Sequence, residues 1–265
     1  MHAAGPQNPG METKQDEKLP IDLVELAVQD PRLRIREFTL DVAGRRVPAR
    51  LWSARQAAGP APLVLVGHGG SGHKASQLVL DIAALLAGDH GFVVAAIDGP
   101  VHGARRASFA DGPVVRQAFR ELWAAGTSID AMVDDWRAVT DVLCRLPEVD
   151  ASALGWYGIS MGTAYGIPVV AADARIRAAV LGMWGTCRAG SERLVTDGRR
   201  IGCPVLFQQK TDDEVFTPAG QADLYAQIGS ERKELRLYPG RHTDPEGAQL
   251  ADIAQFLVRQ LRPEA

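Results

Sequence analysis

The chain has 265 residues, a formal net charge of −3 and a pI near 6.1, with 46% hydrophobic and 23% charged residues. That length and balance suit one large α/β domain with a buried core, and they argue against a nucleic-acid or anionic-membrane partner. Cys144, Cys187 and Cys203 show no paired spacing. A disulfide framework or zinc site is therefore not expected, and a reducing, cytoplasmic setting fits.

Residues 1–20 are polar and read as a flexible tail, without the apolar stretch of roughly 7–15 residues that a secretion signal carries. No later apolar run approaches the roughly 20 residues of a membrane span. Residues 21–265 are expected to form one domain. Residues 21–29 carry Ile21, Leu23, Val24, Leu26, Ala27 and Val28, a short helix stopped at Asp30-Pro31. Residues 36–52 alternate, with Phe38, Leu40 and Val42 on one arm, Val47, Ala49 and Leu51 on the other, and Ala43-Gly44 between them. This predicts an antiparallel hairpin at a sheet edge, where Pro48 is tolerated.

Residues 63–66 and 92–97 are continuous apolar runs, the signature of strands buried on both faces of a parallel sheet. The first meets Gly67-His68-Gly69-Gly70-Ser71-Gly72 and a helix over 75–87; the second ends at Asp98-Gly99-Pro100. Residues 99–126 read as irregular, too long for an ordinary connection. Thr127 or Ser128 then caps a helix with Ile129, Met132, Val133, Trp136, Val139, Val142 and Leu143 on its apolar face, stopped by Pro147. Strands at 154–159, 176–184, 204–208 and 234–238 alternate with helices after Ser160 and over 218–228 and 246–261. The pattern predicts an α/β fold with a mostly parallel doubly wound sheet. An antiparallel hairpin precedes the sheet, and residues 99–126 and 185–200 supply a small loop and helix cap.

Gly158-Ile159-Ser160-Met161-Gly162 closes a strand and opens a helix. In a G-x-S-x-G turn the serine sits on a tight, strained bend, and the flanking glycines let neighbouring backbone pass closely. Ligands bind at the carboxyl ends of strands in such a sheet, and four candidate groups fall there. They are His68-Gly69-Gly70, Ser160, the run Asp212-Asp213-Glu214, and His242 on Pro239-Gly240-Arg241. A serine needs a base to become a nucleophile, and a carboxylate keeps the base in its working tautomer. The order serine, acid, histidine is the one this architecture uses.

These motifs, with Asp98-Gly99-Pro100-Val101-His102-Gly103, resemble the α/β-hydrolase fold, in the group of dienelactone hydrolases and small carboxylesterases. The resemblance covers about residues 36–261. It implies Ser160 as nucleophile, His242 as general base, and the backbone N–H groups of Met161 and Gly70 as oxyanion hole, with Gly69 as alternative second donor. The family's acid, with an apolar residue two positions on, maps to Asp213. Asp212 stays open, because Gln209-Lys210 replaces the usual His-Gly before the acid, and Glu214 is the third candidate.

Other polar residues have structural readings. His68 holds the oxyanion loop, His102 and Asp98 brace their turn, His73 and Lys74 form an exposed loop pair, and Asp134-Asp135 lies on a solvated helix face. Cys187 is a small loop side chain. Phe109, Trp123 and Trp184 are candidates to line a pocket. The Gly-rich stretch at 67–72 lacks the G-K-[ST] ending of a phosphate loop. The expected activity is cofactor-independent and metal-free cleavage of a small-molecule carboxylic ester or thioester. Acyl transfer, peptidase action and a non-catalytic receptor on the same fold are the alternatives.

Overall fold

The computed structural model describes residues 21–28, 30–108 and 110–262. The expected tail at 1–20 therefore lies outside the described residues, as does Phe109. Among the described residues, nine strands form one sheet: β1 (Val24–Leu26), β2 (Leu33–Val42), β3 (Arg45–Ala54), β4 (Ala61–Gly67), β5 (Val93–Ile97), β6 (Val149–Gly158), β7 (Ile176–Gly182), β8 (Val205–Lys210) and β9 (Lys233–Tyr238). Their order is β1-β2-β3-β5-β4-β6-β7-β8-β9. Pairing is antiparallel from β1 through β3 to β5 and parallel from there to β9.

Among the described residues, seven α-helices flank the sheet: α1 (Gln77–Ala83), α2 (Gly112–Ala124), α3 (Ile129–Leu143), α4 (Met161–Ala172), α5 (Glu192–Gly198), α6 (Pro218–Gln227) and α7 (Ala248–Leu261). Alternation along the strands divides the core. On β4, Leu63 and Leu65 pack with α2, α3, α4, α5 and α6, whereas Val64 and Val66 face α1 and α7. A strand apolar at every position is what two covered faces require. The mostly parallel α/β sheet expected from the sequence is present.

Four local expectations need correction. Val24–Leu26 is a strand, not part of a helix over 21–29, of which Gln29 is outside the described residues. Val24 pairs with Glu37 and Leu26 with Ile35. A short apolar run next to an open strand edge gains main-chain hydrogen bonds that a helix of two turns cannot match. The hairpin forms with the expected turn, but β3 is internal, paired to β2 and β5. Pro48 is tolerated there because the β5 pairing has ended at Ala49–Ile97, and its carbonyl accepts from the Asp98 N–H at 3.1 Å.

Residues 99–126 are not irregular throughout, since α2 occupies Gly112–Ala124. Its signals are a proline in the first turn and Val115, Phe119 and Trp123, spaced four apart and all buried. Ser128 precedes α3 without capping it; its hydroxyl accepts from Tyr165 OH at 2.9 Å. Residues 185–200 likewise hold the short helix α5. Among the described residues, no helix is long and apolar enough to cross a membrane.

Candidate active site

β6 ends at Gly158 and α4 begins at Met161, so residues 159 and 160 make the whole turn. Ser160 has φ 54° and ψ −122°, a conformation unfavourable for any residue with a Cβ. Its backbone N–H donates to the Gly182 carbonyl at the end of β7 at 2.9 Å. Thr163 locks the same corner: its hydroxyl accepts from the Gly182 N–H at 2.7 Å and lies 2.8 Å from the Gly158 carbonyl. The strained bend is thus tied to two adjacent strands, which aims Oγ off the sheet end.

Ser160 Oγ lies 3.0 Å from His242 Nε2, and His242 Nδ1 lies 2.9 Å from Asp213 Oδ2. Three residues far apart in sequence meet in one hydrogen-bonded line. The Asp213 side chain is fully buried. Its Oδ1 accepts from the N–H groups of Val215 and Phe216 at 2.8 Å each, and its Oδ2 also accepts from Gln221 Nε2 at 3.2 Å. Burial alone would raise this carboxyl, but the hydrogen bonds from His242, Phe216 and Val215 outweigh it and hold Asp213 below its usual range.

The neighbouring acids hold the histidine's turn instead of its ring. Asp212 Oδ2 accepts from the Gly240 N–H at 3.2 Å. Glu214 Oε2 accepts from the His242 N–H at 3.0 Å, and Glu214 pairs with Arg241 at 3.1 Å. The hydrogen bond from the His242 backbone, aided by Arg241, lowers the Glu214 carboxyl to about 2. Of the three candidate acids, the ring of His242 meets Asp213.

The oxyanion candidates sit opposite. Met161 opens α4, so its N–H has no partner within the helix. Gly69 and Gly70 line the same cavity as Ser160, and Gly70 lies beneath the Phe119 ring. Two buried histidines fix this loop. The Gly99 N–H donates to His68 Nε2 at 2.9 Å, so His68 Nδ1 carries the proton it donates to the Gly69 carbonyl at 2.8 Å. His102 Nε2 donates to the Gly70 carbonyl at 3.2 Å. The bracing read from the sequence is what the geometry contains.

Burial lowers His68 from 6.5 to about 4 and His102 to about 3. In each case the fold favours the neutral ring. Above pH 6.5 the ring is neutral whether folded or unfolded, and the full contribution to stability is present. Below that the unfolded chain takes the proton first, so stability is lost progressively as pH falls toward 4. For His68 the depression corresponds to a loss of order 3 kcal/mol. The melting temperature is therefore expected to drop steadily between about pH 6.5 and 4. A flat curve over that window would show that these rings are not held neutral. The Asp213 contribution has the same sign, but it is lost only at lower pH, as the medium approaches its depressed value.

Asp98 is fully buried and holds the start of the 99–126 segment. It accepts from Lys74 N at 2.9 Å and Ala104 N at 2.8 Å, and it pairs with Lys74 Nζ at 3.2 Å. Lys74 is consequently buried, not the exposed loop residue expected, because its charge neutralises Asp98. Asp135 is also buried, not solvated; it takes Arg45 at 2.9 Å and Arg105 at 2.8 Å. Periodicity cannot find such partners, since both arginines come from other elements. Asp134 stays exposed. Among the described residues, no cluster of three or more His, Cys, Asp or Glu side chains is placed to hold a metal.

A cavity of about 400 Å³ opens onto Ser160 and His242. Phe119 and Trp123 from α2 wall it with Trp184 and Phe216, and the Trp184 and Phe216 rings lie 4.6 Å apart. Trp123 Nε1 donates to the Ala189 carbonyl at 2.9 Å, joining α2 to the 185–190 loop. The expected wall residues Trp123 and Trp184 are both present, whereas Cys187 packs toward Gly220 outside the lining. Arg116, Arg120 and Arg188 also line the cavity; their place at the site was not read from the sequence.

Comparison with known proteins agrees with this architecture. Among solved structures, a cold-adapted esterase from an Arctic intertidal metagenomic library, in a PEG-bound complex, is 33% identical at a TM-score of 0.79. That match covers 89% of this chain and 97% of the other. The acetyl xylan esterase of Paenibacillus sp. R4 is 19% identical at a TM-score of 0.71, covering 92% and 89%. Acetyl xylan esterase 1 of Thermoanaerobacterium sp. JW/SL YS485 is 20% identical at 0.69, covering 91% and 88%; these two likenesses speak to the fold alone. A search of curated proteins gave no match. Residues 47–242, from the middle of β3 to the histidine facing Ser160, match the dienelactone hydrolase family. With an α/β-hydrolase sheet and a match across most of its length, this chain belongs to that family.

Proposed function

We propose that this chain is a serine hydrolase that cleaves carboxylic esters or thioesters through an acyl-enzyme on Ser160. The observation that carries the reading is the line Asp213–His242–Ser160, with links of 2.9 and 3.0 Å. Asp213 accepts the Nδ1 proton of His242, which leaves Nε2 free to take the Ser160 proton. Oγ attacks the carbonyl carbon, and the N–H groups of Met161 and Gly70, with Gly69 as alternative to Gly70, receive the developing oxyanion. His242 returns the proton to the departing oxygen or sulfur. Water then repeats the sequence on the acyl-enzyme and frees the acid.

The first test is intact-protein mass after exposure to an organophosphonate. One adduct is expected on the wild type and none on Ser160→Ala or His242→Ala; an adduct that survives Ser160→Ala would place the nucleophile elsewhere. The division among the three acids gives a sharper expectation. Asp213→Asn should lower kcat by about 10³-fold or more, since the amide cannot hold the working tautomer. Asp212→Asn should cost less than about tenfold, because the Gly240 turn keeps its main-chain bond. Steady-state kinetics on an aryl acetate separates them, and equal losses would refute Asp213 as the acid.

A further inference from the structure

Strand β9 ends the sheet, so its outer edge has no strand partner among the described residues. Such an edge invites another strand, and proteins guard it with prolines, bulges or projecting lysines. β9 has none of these. Its sequence, Lys233-Glu234-Leu235-Arg236-Leu237-Tyr238, contains no proline, and its register with β8 is unbroken. Its one lysine is folded back. Lys233 Nζ donates to the carbonyls of Tyr225, Ala226 and Ile228 at 3.0, 3.0 and 2.7 Å, closing the end of α6.

The pairing to β8 fixes which residues look outward. The Val205 N–H donates to the Arg232 carbonyl, and the Thr211 N–H to the Tyr238 carbonyl. Parallel bonding uses alternate residues, so Glu234 and Arg236 turn their N–H and C=O groups to β8. Those of Leu235 and Leu237 point away from the sheet. The Leu235 and Leu237 side chains, 36% and 58% exposed, share the α6 face with Lys233. Glu234 and Arg236 lie on the opposite face, where they meet Arg259 and Asp252 of α7.

We propose that a second copy of this chain adds its own β9 to this edge, antiparallel, about a two-fold axis at Leu235. In that register Leu235 faces Leu235 of the second copy and exchanges both main-chain hydrogen bonds with it. Leu237 reaches the same apolar patch diagonally. Glu234 then stands opposite Arg236 of the second copy, twice, at the positions where side chains approach most closely. Shifting the axis to Arg236 sets two arginines against each other, which is unfavourable. The edge thus complements itself in hydrogen bonding, apolar contact and charge.

Other occupants fit this edge less well. Residues 263–265 follow Arg262, which bonds the His90 and Gly91 carbonyls just before β5, and three residues span only about 10 Å. Residues 1–20 join the chain beside β1, at the opposite edge of the sheet. Pairing β9 with the β1 edge of another copy would repeat head to tail without closing, and β1 offers only three residues.

The test is sedimentation velocity of the full chain over a concentration series. A dimer of twice the 28.5 kDa chain mass is expected. Leu235→Lys should raise the dimer dissociation constant by about tenfold or more while keeping the wild-type circular dichroism spectrum. If that variant does not fold, Leu237→Lys, at the more exposed position, should weaken the dimer in the same direction. Glu234→Arg and Arg236→Glu should each be monomeric alone. An equimolar mixture of the two should dimerise, since each supplies the charge the other lacks. A wild-type monomer at every concentration overturns the inference. So does a dimer unmoved by the lysine substitutions, a ladder of larger oligomers, or a mixture that associates no better than its components.

Discussion

Ser160→Ala is expected to lower kcat on a simple aryl ester by about 10⁴-fold or more, with the melting temperature moving by no more than about 2 °C. The two halves of that expectation have separate causes. In the proposed mechanism Oγ is the attacking atom, and without it His242, 3.0 Å away, has no nucleophile to activate. Alanine keeps the Cβ, so the backbone at φ 54° is no more strained than before. The bonds that tie the bend, from Ser160 N–H to Gly182 and from Thr163 to the same strand end, do not involve the lost hydroxyl. Kinetics and thermal unfolding on one preparation test both halves. A variant within tenfold of wild type would show that another group performs the chemistry.

A large stability loss is expected two residues on. A Cβ at Gly162 would stand 2.4 Å from the Gly67 carbonyl oxygen and 3.0 Å from its carbon. Those atoms are backbone at the end of β4, the strand in the middle of the sheet, so no side-chain rotation relieves the clash. Gly162→Ala is expected to cost about 3 kcal/mol, a fall in melting temperature of about 6–12 °C. The shift would also push the start of α4 away from β4 and displace the Met161 N–H from the place proposed for the oxyanion. Gly69→Ala is the control for stability, because a Cβ there has nothing within 4 Å. Comparable melting temperatures for the two variants would mean that the close approach of helix and strand is not needed.

Most of the sheet and the meeting of Ser160 with His242 were legible because both follow local rules. Buried strands such as Leu63–Val66 announce themselves as continuous apolar runs. The turn at 158–162 carries its glycines where backbone must pass. The choice among Asp212, Asp213 and Glu214 was a different matter, since all three follow β8 and all three bind the 240–242 turn. Only the direction of each side chain distinguishes them, and spacing carries little of that. The failures share a cause as well. Val24–Leu26, Asp135 and Lys74 are governed by partners distant in sequence, namely the open edge of β2, Arg45 with Arg105, and Asp98. Helix α2 was missed although its apolar spacing was present, because glycine and proline around it read as loop.

The link between Trp123 and Ala189 has a consequence for how such an enzyme diversifies. Ser160, Asp213 and His242 rest on strand ends and on main-chain bonds to the sheet. The wall that faces the cavity joins helix α2 to the loop at 185–190, with α2 seated on Tyr165 of α4. Segments 110–126 and 185–190 can therefore be exchanged together, as a cassette, between relatives. A chimera made that way should inherit its donor's substrate range and keep its host's Ser160, His242 and Asp213 geometry.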